Sequence, residues 1–182
     1  MDPKLRSKAG HYEILGETHA KYEFFHAGWN PYSRFLDVDK VDLVLRRVGK
    51  NGPEYREVQV KFGKLYRVGP AWERRLFDVT SWRFFRADEF AACGSHLFIA
   101  YVLSEDDAYR GDLFIFPVRD FEGIIRRAPT AGGKHRVYLS RCKESSEHWV
   151  LRCAKKFEQV GGKSTLDVSK YRRNFGLLDR GA

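Results

Sequence analysis

The chain has little cysteine and no long apolar run, and both features exclude certain classes of protein. The three cysteines, Cys93, Cys142 and Cys153, are odd in number and widely spaced, without a Cys-x-x-Cys pair. This spacing argues against a zinc ribbon and a disulfide framework, and it predicts small buried thiols. No apolar segment is long enough for a signal peptide or a membrane span. We therefore expect a cytoplasmic protein without a membrane partner.

Several common site motifs are also missing. The histidines show no His-x-x-x-His spacing that would favour zinc, and there is no Gly-x-Ser-x-Gly nucleophile elbow. The segment 161–164, Gly-Gly-Lys-Ser, ends like a phosphate-binding loop, but the first glycine of that motif would fall at Phe157. We therefore predict an ordinary turn there.

What the chain does have is basic charge and aromatic side chains. Its 182 residues carry 33 Lys+Arg against 24 Asp+Glu, a formal net charge of +9, with 15% aromatic and 43% hydrophobic residues. This composition and length suit one folded domain over 1–182, with 1–10 as a loose amino-terminal segment. A basic surface attracts phosphate backbones, so nucleic acid is the favoured partner.

Apolar periodicity predicts an α/β fold. Helices are expected over 14–27, ending at Gly28, and from Pro117 to Arg127. The nearly continuous apolar runs 96–103 and 112–116 predict strands that are buried on both faces. The remaining predicted elements are strands at 41–45, 57–61, 136–139 and 148–151 and a terminal helix at 166–178.

The most informative segment is a predicted hairpin, strands 41–45 and 57–61 with a turn at 48–53. Side chains alternate along a strand, so Glu57, Gln59 and Lys61 share one face, while the valines between them pack into the core. Asp42 interrupts the first strand in the same way. The hairpin therefore brings a carboxylate, an amide oxygen and an ammonium together.

An acid on a first helix, an aspartate on a strand and (Asp/Glu/Gln)-x-Lys on the next strand resemble the PD-(D/E)XK nuclease superfamily, especially its Gln-x-Lys branches. Here these residues are Glu17, Asp42 and Gln59-Val60-Lys61. The resemblance covers about a third of the chain, residues 14 to 61. No proline precedes Asp42, and Gln59 brings no negative charge where an acid is usual.

The resemblance implies a restriction endonuclease-like fold, in which helices flank a central mixed β-sheet. It also implies a Mg²⁺-dependent DNA endonuclease, with Mn²⁺ as a substitute and DNA favoured over RNA. Asp42, Gln59 and the carbonyl of Val60 would bind the metal, Lys61 would position or activate the attacking water, and Glu17 would hold a second metal or a metal-bound water. Many nucleases of this fold act as dimers, so a homodimer is one expected assembly.

The residues leave alternatives open. Glu57 shares a face with Gln59 and can replace it as a ligand, Glu17 can form an ordinary helix ion pair with Lys21, and Lys61 can be an edge lysine. The whole chain can also be a catalytically inactive nuclease-like module that binds nucleic acid or a protein. A third class is an unrelated α/β enzyme that acts on a small phosphorylated substrate from a deep apolar pocket.

Basic and aromatic residues are mixed between Arg67 and Arg86. Arginines can hold phosphates, and exposed rings can stack on bases. We expect the rings of Phe84 and Phe85 to belong to the core. The predicted nucleic-acid-binding rim consists of Arg74, Arg75, Arg83, Arg86, Lys170, Arg172 and Arg173.

Overall fold

The computed structural model describes residues 3–33, 40–91, 93–94, 96–105 and 108–180. Within these ranges one ten-stranded sheet is combined with three α-helices and three short 3-10 helices. The helices are α1 (Pro3–His26), α2 (Ala71–Leu76) and α3 (Val118–Arg127), and the 3-10 turns span Ala87–Phe90, Ser169–Tyr171 and Phe175–Arg180. The strands are β1 (Asn30–Ser33), β2 (Leu43–Gly49), β3 (Gly52–Arg67), β4 (Phe77–Phe85), β5 (Leu97–Glu105), β6 (Ala108–Pro117), β7 (Thr130–Ala131), β8 (Lys134–Cys142), β9 (Trp149–Arg152) and β10 (Thr165–Asp167).

The sheet is mixed. An antiparallel path runs β1-β2-β3-β4-β8-β9-β10, and β7 pairs with β8. Strand β5 pairs in parallel with β3, and β6 pairs antiparallel with β5. The predicted α/β class and the mixed sheet are therefore confirmed at this level of description.

Two apolar cores lie on opposite sides of β5. Ile99 and Tyr101 pack with Phe121 of α3, whereas Phe98 and Ala100 pack with Phe24 of α1. Every residue of this strand from Leu97 to Ser104 is buried. The prediction of a strand covered on both faces is confirmed, and so is its buried neighbour β6.

The central hairpin and two of the three predicted helices, those over 14–27 and 117–127, are present. Strands β2 and β3 pair in register from Leu43↔Val58 to Gly49↔Gly52, with a turn at 50–51 that is shorter than the predicted 48–53. Strand β2 begins at Leu43, so Asp42 precedes the strand and does not interrupt it as predicted. Gly28 has a left-handed φ of 84°, which suits it to end α1. That helix begins at Pro3, so residues 3–10 are helical and do not form the predicted loose segment.

The predicted terminal helix over 166–178 is wrong. Residues Thr165–Asp167 form β10 against β9, and the Asp167 side chain accepts a hydrogen bond from the Ser169 N–H at 2.8 Å. Farther along, Arg173 has a φ of 47°, which an α-helix cannot accommodate. Side-chain bonding to the backbone and one left-handed residue replace the helix with short 3-10 turns.

Other sequence expectations concern thiols, a turn and membranes. The cysteines are free, with Cys142 buried and the other two half-buried. Gly161 and Gly162 both have positive φ in a turn, as predicted. None of the described helices is both long and apolar enough to span a bilayer.

Glycine 63 allows close packing in the middle of β3. A Cβ there would lie 2.5 Å from Ser81 Oγ and 2.7 Å from Leu103 Cδ2, so we expect Gly63→Ala to lower the free energy of unfolding by about 1–3 kcal/mol. A Cβ on Gly123 in α3 would have no atom within 4 Å, so Gly123→Ala should raise the free energy of unfolding by about 0.5–1 kcal/mol. Urea denaturation of both variants checks this, and changes of the same sign would contradict it.

Candidate functional site

The candidate site lies where the sheet splits along β3. Pairing of β3 with β2 ends at Leu43↔Val58, and pairing with β4 begins at Leu65↔Ser81. Between these points residues 59–64 of β3 pair with β5 on one edge. Among the described residues no strand pairs with the other edge of this stretch. The backbone of β3 is therefore open to side chains over about six residues.

Two side chains take the place of the missing strand. Asp42 Oδ2 accepts a hydrogen bond from the Val60 N–H at 2.6 Å, and Arg83 Nη1 donates to the Phe62 carbonyl at 2.9 Å. The Asp42 N–H donates to the Val58 carbonyl at 3.0 Å. Because alternate residues of a strand direct their backbone groups to the same edge, the Val60 carbonyl faces the edge where Asp42 is held.

The gap opens into a cleft of about 690 Å³. All five residues that the resemblance assigned to catalysis or metal binding line it: Glu17, Asp42, Gln59, Val60 and Lys61. The other lining residues are Tyr12, Glu13, Lys40, Phe62, Gly63, Lys64, Tyr66, Trp82 and Arg83. The sequence motif is thus assembled in space around one cleft, while the roles of its members remain predictions.

Glu17 reaches the cleft because α1 packs closely on β3. A Cβ on Gly16 would lie 3.1 Å from Phe62 Cβ, and the ring of Tyr12 stacks on Phe62 with 5.1 Å between centroids. Glu17 Oε2 is 3.5 Å from Lys21 Nζ. The ordinary helix ion pair is therefore formed as well, and Glu17 lines the cleft while it is paired.

Lys61 is a largely buried amine, with a side chain that is only 13% exposed. Its Nζ lies 3.6 Å from Glu89 Oε1. Burial lowers the pKa of Lys61, and Arg83 lowers it further, while Glu89 and Asp42 act in the opposite direction without restoring the ordinary value. Lys61 is therefore a largely buried cleft residue rather than an exposed edge lysine, and it loses its proton more readily than a surface lysine.

Gln59 and Glu57 occupy different cavities. Gln59 is buried, and its Oε1 has no hydrogen-bond partner among the described residues. Glu57 lies in the neighbouring cavity, where its Oε2 is 3.0 Å from Nε2 of His96. A buried acceptor without a partner costs about 1–3 kcal/mol, and of this pair only Gln59, which lines the cleft, has such an acceptor.

The oxygen donors of the cleft fit magnesium, although their charge is low. No group of three or more His, Cys, Asp or Glu side chains within the described ranges is arranged to hold a metal. A metal here would instead use the carboxylate of Asp42, the amide oxygen of Gln59 and the carbonyl of Val60, which are hard oxygen ligands. The partnerless Gln59 Oε1 is the structural observation that supports this fit.

Glu89 was missed by the sequence reasoning. It lies on the 3-10 turn Ala87–Phe90, pairs with Lys61, and accepts a hydrogen bond from Lys40 Nζ through its backbone carbonyl at 2.5 Å. Glu89 is 28 residues from Lys61 in the sequence, so no local pattern could predict their contact. Only tertiary packing brings this turn beside β3. A second carboxylate beside the lysine therefore appears only in the structure.

The predicted basic rim is only partly assembled around the cleft. Of its seven members, Arg83 alone is among the cleft-lining residues. Arg74 and Arg75 are exposed on α2, and Lys170 lies 4.9 Å from the centroid of the Tyr171 ring.

Carboxylates already neutralise the other three predicted arginines. Arg86 binds its neighbour Asp88, Arg172 binds Asp112 and Glu147, and Arg173 binds Glu23. Their charge is therefore less available to phosphate than that of Arg83.

Comparison with known proteins gives no independent guide to this site. No protein-family model, no curated protein and no solved structure matches the chain. The geometry of the cleft is therefore the basis for any functional proposal.

The hydrogen bond from the Val60 N–H to Asp42 should contribute to the stability of the protein. Asp42→Ala leaves this N–H without its acceptor, so we expect the free energy of unfolding to fall by about 1–3 kcal/mol. Asp42→Asn keeps a side-chain oxygen in place and should lose less. Urea denaturation of the two variants compares these costs. Equal losses would show that the hydrogen bond to Val60 does not hold this edge.

Proposed function

We propose that the protein is a Mg²⁺-dependent DNA endonuclease that hydrolyses phosphodiester bonds. The observation that carries the proposal is the convergence of Glu17, Asp42, Gln59, Val60 and Lys61 on one cleft at the open edge of β3. The order of these residues along the chain resembles the PD-(D/E)XK pattern. A restriction endonuclease-like fold is part of the same proposal.

The residues of the cleft have different roles in binding the metal and the water. Asp42 would supply the negative charge that holds the metal, and Gln59 and the Val60 carbonyl would add neutral oxygen ligands. When bound, magnesium neutralises charge that develops on the phosphate and lowers the pKa of a coordinated water. Glu17 orients water at the helix side of the cleft. With so few carboxylates the affinity of these residues for the metal would be low, and a substrate phosphate would have to supply a further oxygen ligand.

Lys61 acts as the general base that accepts the proton of the attacking water. Burial lowers the pKa of its amine, so a larger fraction is neutral near physiological pH than for a surface lysine. In the protonated form the same group stabilises charge on the phosphate. Arg83 adds a permanent cation to the cleft wall, where it holds the phosphate backbone.

The second candidate is a catalytically inactive module that binds nucleic acid or a protein partner. Gln59 in place of an acid and the ion pair of Lys61 with Glu89 favour it, because both reduce the charge available for catalysis. An enzyme for a small phosphorylated substrate would need a deep apolar pocket. The cleft walls are instead rich in charged side chains, including Glu17, Asp42 and Arg83.

Cleavage of supercoiled plasmid separates these candidates. We expect Mg²⁺-dependent nicking that falls by about 100-fold or more in Asp42→Asn and in Lys61→Met, since each removes a group that acts in the reaction. Asp78→Asn and Lys50→Met are matched controls outside the cleft lining and should keep full activity. Gln59→Glu should tighten Mg²⁺ binding in calorimetry, because it adds a negative ligand.

Two outcomes would decide against the nuclease. Nicking that survives in both cleft variants would place the chemistry elsewhere or in a contaminant. DNA binding by the wild-type protein without any metal-dependent nicking would favour the inactive module.

Glu89 should set the pH dependence of the reaction through Lys61. Glu89 raises the pKa of Lys61, so Glu89→Gln lowers it. A base acts in its deprotonated form, so the rising limb of the pH–rate profile should move to lower pH in this variant. Glu57→Gln is the control, because Glu57 binds His96 in the adjacent cavity. A limb that stays in place or moves to higher pH would exclude Lys61 as the base.

A further inference from the structure

The sheet surface next to the cleft carries large exposed rings. Trp82 and Phe84 of β4 are 40% and 41% exposed, and their centroids lie 5.8 Å apart, edge to face. In the β4–β8 register Trp82 is opposite Tyr138 and Phe84 is opposite Arg136, so these four side chains share one face. The expectation that Phe84 belongs to the core is wrong, whereas Phe85 on the other face is buried.

Arg136 is a cation held by rings and not by a carboxylate. Its guanidinium carbon lies 4.7 Å from the Trp82 centroid, 4.9 Å from that of Tyr138 and 5.7 Å from that of Phe84. No described acidic side chain lies within ion-pair distance of it, and its buried Nε has no hydrogen-bond partner among the described residues. Its charge is therefore available to an anion that comes to rest on these rings.

The surface formed by these rings extends to the cleft. Trp82 is itself a cleft-lining residue, and so is Tyr66 of β3, which is 43% exposed. Tyr66 is opposite Thr80 on β4, two residues before Trp82, so it belongs to the same side of the sheet. Tyr66, Trp82, Phe84 and Arg136 thus form one surface, here called the aromatic face, that begins at the cleft wall.

We propose that the aromatic face binds unpaired bases of a nucleic acid whose backbone runs into the cleft. Aromatic rings stack on any base whose flat face is exposed, and a nearby cation holds the phosphate between bases. Bases inside a duplex have both faces covered and cannot stack in this way. The substrate of the proposed nuclease is therefore a strand with unpaired bases beside the scissile phosphate, and this inference rests on the proposed function.

Binding without divalent metal tests the aromatic face separately from cleavage. The probes are a fluorescently labelled single-stranded oligodeoxynucleotide and a blunt duplex of the same sequence. We expect wild-type protein to prefer the single strand, and Trp82→Ala to weaken that affinity about fivefold or more while changing duplex affinity little. Trp82→Phe keeps a ring and should retain most of the preference. Tyr55→Ala, which removes a ring that is 56% exposed on the β2–β3 hairpin, is the matched control.

The outcomes distinguish this inference from the nuclease proposal. Asp42→Asn should lose nicking but keep the single-strand preference, because Asp42 lies outside the aromatic face. Equal weakening of both probes by Trp82→Ala, no effect of that change, or a wild-type preference for the blunt duplex would overturn the inference. Absence of binding to either probe would also overturn it and would favour a protein partner for these rings.

Discussion

The open edge of β3 is the constraint on which the site depends. Backbone N–H and C=O groups that lose a neighbouring strand must find other partners, because an unpaired buried group is costly. Asp42 and Arg83 meet this need at Val60 and Phe62. A structural requirement of the sheet thus places a carboxylate, which can bind a metal cation, and a guanidinium, which can bind a phosphate, at the same opening.

Burial also changes the properties of Lys61 and Gln59, which lie next to this edge. Lys61 sits beneath the opening with its pKa lowered by burial, and Glu89 limits that change. Gln59 Oε1 is left without a partner among the described residues. A buried acceptor without a partner lowers stability, and the cation of the proposed site would give Gln59 Oε1 that partner. On the adjacent surface, exposed rings surround the guanidinium of Arg136, and this is where we propose that unpaired bases bind.

Local patterns predicted the hairpin but not its bounds, because alternation and turn residues depend on near neighbours in sequence. The turn is at 50–51 and not over 48–53. Gln59 and Lys61 of β3 line one cleft with Asp42, which precedes β2, while their roles stay predictions. Glu89 could not be found this way, because only tertiary packing brings its 3-10 turn to Lys61. The terminal helix failed for a related reason: pairing with β9 outweighed a helical spacing of apolar residues.

Anomalous diffraction from crystals soaked in Mn²⁺ tests the metal site most directly. We expect one strong peak in the cleft, with the Asp42 carboxylate, Gln59 Oε1 and the Val60 carbonyl as its ligands, and its loss in Asp42→Asn crystals. Manganese is suitable because it accepts the same hard oxygen donors as magnesium. A cleft without a peak, or a peak at the Glu57–His96 pair instead, would contradict the assignment of this cleft as a metal-dependent active site.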